Sequence, residues 1–181
     1  MTDRDLVGFI IDRFEGHAFT NAAHDRGGAT RYGVTQALYS AYMRRPMTAA
    51  DVKALTRPVA IDILHSEFCY KPGLSQVRDP LVRLCAVDFA IHSGPRPAVR
   101  SLQYAAFPKP PYDGLWGPQT DAAVNGADGD EIRRWMLSYR LRFLGKVLAR
   151  YPEQAKWAGW WNRVATLNEL DAPLLTLPAA A

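Results

Sequence analysis

The sequence predicts a mainly α-helical fold with one small β-hairpin near the N-terminus. Apolar residues recur at helical spacing over most of the 181 residues, and start and stop signals such as Asp79–Pro80 and Gly94–Pro95 separate the periodic segments. The stretch Arg13–Thr35 breaks this pattern because it is small, polar and interrupted by glycines. Such a composition favours turns and short strands over helix.

The first half of the chain predicts helices on both sides of the hairpin. The first helix begins at a cap on Thr2 or Asp3 and ends at Glu15, where a glycine follows. Short strands are expected between residues 17 and 34, and Thr35 then caps a helix that runs to about residue 45. Two further starts are marked by a capping-box sequence and a first-turn proline, at Thr48–Asp51 and at Pro58.

The second half predicts a buried central helix followed by further helices. The segment after Asp79–Pro80 is apolar almost all round and stops at Gly94, so we expect it to be buried. Pro152 opens a last helix, and the segment after that helix lacks periodicity and is expected to fray. The helices between them are expected at about 96–106, 118–125 and 129–149. The helix that Pro152 opens carries Trp157, Trp160 and Trp161.

The charge of the chain is mildly positive. Twenty-two Lys and Arg residues against 18 Asp and Glu residues give a net charge of +4, but the arginines are scattered along the sequence. A nucleic-acid-binding protein would concentrate them in one patch. We interpret the charge as a solvated basic surface, and attraction to an anionic polymer such as bacterial cell wall is the alternative.

The cysteines and histidines do not form a recognisable pattern. Cys69 and Cys85 are too few for a disulfide framework, so we expect buried free thiols, with a single bridge as the alternative. No two histidines and an acid fall at metal-ligand spacing. The sequence therefore predicts no metal site and no cofactor.

The N-terminal segment has the pattern of an amphipathic helix rather than of a signal peptide. Acidic residues interrupt it and no cleavage site follows. No apolar run approaches the length of a membrane span. The sequence therefore predicts a protein made in the cytoplasm without a signal peptide and without stable membrane insertion.

Glu15 is the first candidate catalytic residue. A carboxylate in the last turn of a helix faces the negative end of the helix dipole, which is unfavourable for a purely structural glutamate. A carboxyl group that is delivered to the edge of a glycine-bearing hairpin is well placed to act as a general acid. The alternative is an exposed glutamate at a frayed helix end.

Asp25 and Thr30 are the other two candidates, ten and fifteen residues after Glu15. Inverting hydrolysis of a glycosidic bond uses an acid on one face of the sugar and a water held by a base on the other, with the two carboxyl groups about 6.5–9.5 Å apart. A hairpin that returns past the helix end can supply that gap. The alternative interpretations are an ordinary turn residue and an ordinary strand residue.

These residues belong to motifs that carry a family resemblance. Within the hairpin stretch the motifs are Glu15–Gly16, Asp25–Thr30 and Tyr32–Thr35. The remaining matches are Asp88–Gly94, Leu102–Gln103, Asp113–Thr120 and Gly159–Val164. Together they resemble glycoside hydrolase family 108, peptidoglycan-cleaving N-acetylmuramidases found among phage endolysins and related bacterial enzymes. The Glu, Asp, Thr order is also similar to that of the phage-type lysozymes of family 24.

The resemblance implies a lysozyme-like single domain that hydrolyses the β-1,4 bond between N-acetylmuramic acid and N-acetylglucosamine without metal or cofactor. Glu15 would protonate the leaving oxygen, and Asp25, helped by Thr30, would orient or deprotonate the attacking water, giving inversion. The residues expected to bind substrate are Tyr32, Asp88, His92, Gln103 and Trp116. For Asp88, a structural hydrogen bond on an apolar helix is the alternative.

The chain departs from the family pattern after Glu15. The family usually has Glu-Gly-Gly-Tyr, whereas this chain has an apparent insertion at His17. A bulge could absorb the extra residue. The insertion moves Asp25 one position further along, so His24 becomes the alternative at the expected offset. His92 stands where the family commonly has asparagine.

The resemblance also predicts an organisation and a set of partners. An N-terminal catalytic lobe would span 1–93, a C-terminal helical lobe resembling a peptidoglycan-binding region would span 94–171, and 172–181 would be a frayed tail. The partner would be peptidoglycan and not nucleic acid. The protein would act as a monomer on the cell wall, after release through a holin or delivery by a secretion system.

Three other functions stay open at this point. A lytic transglycosylase uses one glutamate and no base-positioned water, and it leaves a 1,6-anhydro sugar. A non-catalytic wall-binding module is supported by the segment Asp113–Pro118. A basic nucleic-acid-associated protein would bind DNA with a steep salt dependence, and the lack of a basic cluster argues against it.

Overall fold

The computed structural model describes residues 1–21, 28–153 and 159–170. It confirms the prediction of a mainly α-helical fold with one small antiparallel sheet. The chain forms two compact units, 1–70 and 71–181. The predicted frayed tail and Trp157 lie outside the described residues.

The 1–70 unit contains the hairpin and the helix that precedes it. Its first helix, α1 (Asp3–Ile10), continues directly into a π-helix that ends at Glu15, and its fourth helix, α4 (Arg57–Leu64), also continues into a π-helix. Strands β1 and β2 pair antiparallel, with Thr30 opposite Thr35 and Arg31 opposite Val34. The elements are α1 (Asp3–Ile10), the first π-helix (Ile11–Glu15), β1 (Thr30–Arg31), β2 (Val34–Thr35), α2 (Gln36–Met43), α3 (Ala49–Ala54), α4 (Arg57–Leu64) and the second π-helix (His65–Tyr70).

The helix starts in this unit are those that the sequence predicts. The Thr2 hydroxyl accepts the backbone N–H of Asp5, and the Asp5 carboxylate accepts the backbone N–H of Thr2, so α1 begins with a complete capping box. Thr35 caps α2 through the backbone N–H of Leu38. The predicted capping box at Thr48–Asp51 is likewise confirmed.

Helix α1 and the π-helix that follows it are held near α4 by buried apolar residues and by two ion pairs. Leu6, Val7 and Ile10 have no exposed surface. The Arg4 guanidinium lies 2.5 Å from the Asp62 carboxylate, and the Arg57 guanidinium lies 2.6 Å from Asp12 in the following π-helix. The buried apolar residues supply most of the stabilisation, because ion pairs with this much solvent exposure contribute little each.

The 71–181 unit is built on the predicted central helix. Helix α5 begins at Asp79, whose carboxylate accepts the backbone N–H groups of Leu81 and Val82, and it ends before Gly94. Nine of its 14 residues are buried, and it packs against α6 (Pro95–Ala106) and α8 (Gly129–Arg150). The elements are a 3₁₀ turn (Leu74–Gln76), α5 (Pro80–Ser93), α6 (Pro95–Ala106), α7 (Pro118–Gly126), α8 (Gly129–Arg150) and α9 (Gly159–Glu169).

Two further sequence predictions can be compared with the structure. Cys69 and Cys85 are both buried thiols, as predicted, and neither forms a disulfide. Burial, together with the nearby charge of Asp88, raises the pKa of the Cys85 thiol to about 12. Across the described ranges, no helix has both the length and the hydropathy that crossing a bilayer requires.

Candidate active site

Glu15 is placed by the end of the first π-helix. The backbone N–H of Gly16 donates to the carbonyl of Ile11 at 2.9 Å, which closes the π turn, and Gly16 then takes a φ of +74°. Glu15 is half-buried, and its carboxyl oxygen Oε1 is buried. The helix therefore ends at Glu15, as the sequence predicts, and it places the carboxyl group at the boundary between protein and solvent.

The turn of the hairpin lies directly against Glu15. Tyr32 and Gly33, the two residues between the strands, have φ values of +54° and +75°, as a type I′ turn requires. A Cβ atom on Gly33 would lie 2.9 Å from Cγ of Glu15 and 3.1 Å from its Oε2. Gly33 therefore serves two purposes, because it permits the turn and it lets the turn backbone approach the carboxyl group.

We expect Gly33→Ala to misplace Glu15 and lower activity on purified peptidoglycan sacculi about 10²-fold, the loss typical of a misplacement near 1 Å. Gly28→Ala is the matched control, since Gly28 also has a positive φ, +64°, but a Cβ atom there would meet nothing within 4 Å. Both variants should lose similar stability, about 1–2 kcal/mol, from the left-handed backbone. Turbidity assays beside thermal melts measure the two effects, and an equal activity loss in both variants would contradict the placement.

A chain of polar contacts supports the π-helix behind Glu15. The His17 ring lies 2.9 Å from the Asp12 carboxylate, which accepts two hydrogen bonds from Arg57 at 3.0 and 2.6 Å. The hydrogen bonds from Arg57 hold the pKa of Asp12 below its usual range, although burial opposes them. His17, the apparent insertion, thus has a contact on the helix that precedes it.

Tyr32 and Thr30, both predicted site residues, flank the turn. The Tyr32 ring lies 5.5 Å from the His17 ring and 4.9 Å from the Arg31 guanidinium carbon. Thr30 exchanges two backbone hydrogen bonds of 2.9 Å with Thr20, and its hydroxyl donates to the carbonyl of Gly28 at 3.1 Å. The structure therefore brings Glu15, Thr30 and Tyr32 into one hairpin region. Asp25 and its alternative His24 lie outside the described residues.

Asp88, predicted to bind substrate, is instead an internal ion-pair partner in the 71–181 unit. It has no exposed surface, and its oxygens accept a bond of 2.6 Å from Arg140 and bonds of 2.6–3.1 Å from Arg163. Burial alone would raise the pKa of Asp88, but the two arginines outweigh it and hold the pKa below its usual range. We therefore assign Asp88 a structural role, which is the alternative to substrate binding.

His92 lies one turn further along α5 and is largely buried. Its ring meets the Trp160 ring edge-on at 5.4 Å, and its Nδ1 lies 2.8 Å from the Ser93 hydroxyl. Burial, followed by the positive charges of Arg140 and Arg163, lowers the pKa of His92 to about 3. His92 is therefore neutral at physiological pH in the folded protein.

Because His92 is neutral in the folded protein, we expect the stability of the fold to decrease in acid. The folded pKa is about 3 and the unfolded pKa is about 6.5, so the unfolded chain binds the proton first. The contribution of His92 is full above pH 6.5 and is lost as the pH falls toward 3, with a slope of at most about 1.4 kcal/mol per pH unit. His92→Asn should flatten the pH dependence of urea unfolding over this window, and identical slopes in the two proteins would contradict the burial of the ring.

Gln103, also predicted to bind substrate, organises the loop before α7. Its amide nitrogen donates to Asp113 at 2.7 Å and to the carbonyl of Leu115 at 3.1 Å, and its oxygen accepts the backbone N–H of Gly114 at 2.9 Å. Only 4% of Gln103 is exposed, so we assign it a structural role. Trp116, on the same loop, is half-buried against Gly73, where a Cβ atom would lie 2.7 Å from the Trp116 ring.

Comparison with known proteins decides the family. Residues 9–94 match the sequence model described as Glycosyl hydrolase 108. A solved structure, Brucella abortus SagA, is 33% identical, with a TM-score of 0.78 over 92% of this chain and 91% of that chain. The chain belongs to glycosyl hydrolase family 108. No protein with a curated description matches it.

Membership of family 108 makes the chain a glycoside hydrolase whose substrate class is peptidoglycan. The family match covers both the π-helix that ends at Glu15 and the hairpin.

The sequence did not identify Arg140 and Arg163 as the partners of Asp88. The signal for them was the aspartate on an apolar helix, which requires a cationic partner but does not say which one.

Proposed function

We propose that this family 108 protein is an N-acetylmuramidase (a lysozyme) that cleaves the β-1,4 bond between N-acetylmuramic acid and N-acetylglucosamine with inversion. The observation that carries the proposal is the half-buried carboxyl group of Glu15 at a helix end, in contact with the turn at Gly33. This arrangement places the Glu15 carboxyl group where the backbone of the turn approaches it closely.

In the proposed reaction, Glu15 donates its proton to the glycosidic oxygen as the bond from that oxygen to the anomeric carbon of the muramic acid breaks. A water attacks the anomeric carbon from the opposite face and loses a proton to Asp25. Thr30, whose strand pairs with Thr20 beside the turn, would help to orient that water. The products are an N-acetylglucosamine end with a free hydroxyl and a muramic acid reducing end of inverted configuration.

The substrate contacts that we retain are Tyr32, His92 and Trp116. Tyr32 adjoins Gly33 in the turn that touches Glu15. The other two are aromatic rings in the 71–181 unit, and each is partly exposed. Aromatic faces of this kind stack on sugar rings, which combine apolar surface with hydroxyl groups.

The biological role that we propose is wall lysis of the endolysin type by a monomer. The protein would be made in the bacterial cytoplasm and would reach the wall through a holin or a secretion system. The mild net charge of +4 supports attraction to an anionic wall polymer. The 94–171 lobe would add contacts to peptidoglycan.

The experiment that tests this function is product analysis. Purified sacculi are digested with the full chain, and the soluble fragments are examined by mass spectrometry with and without prior borohydride reduction. Reducible muramic acid ends are the expected result. Anhydro ends would replace the proposal with a lytic transglycosylase, and pelleting with sacculi without soluble fragments would replace it with a binding module.

The stereochemistry is tested separately. Early digestion products are followed by proton NMR, which distinguishes the anomers of the new reducing end before they equilibrate. Inversion predicts that the α-anomer appears first, since the cleaved bond is β. The β-anomer first would show retention and would remove Asp25 from the role of a base acting on water.

A further inference from the structure

Three side chains with metal-binding atoms meet where the first turn of α1 approaches the second π-helix. Asp3 supplies a carboxylate oxygen, His65 an imidazole nitrogen and Cys69 a thiol sulfur, and these three atoms all lie within 4.8 Å of one another. The sequence separates Asp3 from the other two by about sixty residues. No motif could therefore reveal the group before the fold was known.

The backbone places these three side chains so that they can bind one metal ion. His65 and Cys69 are four residues apart in the second π-helix, so their side chains share one face. The same spacing places two ligands on one zinc ion in helical metal-binding motifs. Asp3 enters from the neighbouring helix, because α1 packs against this π-helix.

The distances and burial suit an ion of moderate size. A tetrahedral ion with bonds of about 2.0–2.3 Å holds its ligand atoms roughly 3.3–3.8 Å apart. Ligand atoms within 4.8 Å can converge to that spacing by small rotations of the side chains. Cys69 is fully buried, whereas Asp3 and His65 are half-buried, so the group has an exposed side from which an ion and a water can enter.

The donor atoms and charges select the class of ion. A mixed set of sulfur, nitrogen and oxygen suits zinc, whereas calcium and magnesium take oxygen ligands. A doubly charged ion would be neutralised by one thiolate and one carboxylate, so the buried site would carry no net charge. We propose that Asp3, His65 and Cys69 bind one divalent ion of the zinc class, with water in the fourth position.

The site anchors structure and takes no part in the hydrolysis. Asp3 begins the helical segment that ends at Glu15, and twelve residues at about 1.5 Å each separate them by roughly 18 Å. Binding joins the first turn of α1 to the second π-helix, and the thiol proton of Cys69 passes to solvent as the metal–sulfur bond forms. The inference is independent of the proposed muramidase activity.

The test uses the untagged full chain, stripped with a chelator under reducing conditions. Titration with Co²⁺ should give one ion per chain, with a thiolate-to-cobalt charge-transfer band and intense visible absorption that Zn²⁺ then bleaches. At about a hundredfold excess of free Zn²⁺ over its Kd, the melting temperature should rise by about 5–10 °C. Absence of stoichiometric binding, or no rise on saturation, would overturn the proposal.

Variants locate the ion on the chain. Cys69→Ala should abolish the charge-transfer band, whereas Cys85→Ala, which alters the other buried cysteine, should keep it. Asp3→Asn changes only a half-buried residue at the helix start and should weaken Co²⁺ binding at least about tenfold while the protein stays folded. A band that survives Cys69→Ala, or unchanged affinity in Asp3→Asn, would show that these side chains are held by hydrogen bonds and not by a metal.

Discussion

Glu15→Gln should abolish the digestion of sacculi, with a rate at least about 10²–10⁴-fold below that of the wild type. Glutamine keeps the shape of the side chain but carries no proton that can be given to the glycosidic oxygen. Because Glu15 is half-buried at a helix end and not in the core, we expect the melting temperature to stay nearly unchanged. The measurement is release of soluble fragments, beside a thermal melt of the same preparation.

Glu67→Gln is the matched control for this prediction. Glu67 is also a half-buried glutamate within a π-helix of the 1–70 unit, but no catalytic role is assigned to it. It should retain nearly full activity. Retained lysis by Glu15→Gln would remove Glu15 as the acid, whereas equal losses in both variants would indicate a general sensitivity of the unit.

Asp88→Ala should destabilise the 71–181 unit by about 3–5 kcal/mol, because it leaves two guanidinium groups buried without a counter-charge. Arg140 and Arg163 are 1% and 9% exposed, so water cannot replace the lost carboxylate without rearrangement. For a chain of this length the melting temperature should fall by about 6–20 °C. Differential scanning calorimetry measures the change directly.

Asp130→Asn provides the comparison for Asp88→Ala. The Asp130 carboxylate lies 3.3 Å from Arg133 but is 83% exposed, so its loss should change stability by less than about 1 kcal/mol. An Asp88→Ala variant with an unchanged melt and weakened binding to sacculi would return Asp88 to the role of a substrate contact. A large loss of stability supports the internal ion pairs.

Elements specified by nearby residues were predictable from the sequence. The caps at Thr2, Thr35 and Asp79 and the stop at Gly94 depend on contacts within a few residues, and the structure confirms them. The hairpin could be predicted for the same reason, since Gly33 readily takes one of the two positive φ values that its turn needs. Local chemistry thus determined most helix boundaries and the place of Glu15 at the end of a helix.

What the sequence could not predict depends on residues far apart in the chain. The arginines that pair with Asp88 come 52 and 75 residues later, and many arginines were available. The contact of Gly33 with Glu15 requires a backbone approach that no residue type encodes. The two π-helices were predicted as ordinary helix, because the wider turn is set by packing and not by residue type.

During translation, the helix that carries Glu15 is made before the residues that hold that helix in place. Arg57 follows its partner Asp12 by 45 residues, and the second π-helix ends only at Tyr70. Closing such a loop costs chain entropy and cannot begin until both ends exist. A nascent chain shorter than this therefore carries the acid without its supporting structure, and fragments from interrupted translation should be inert toward the wall.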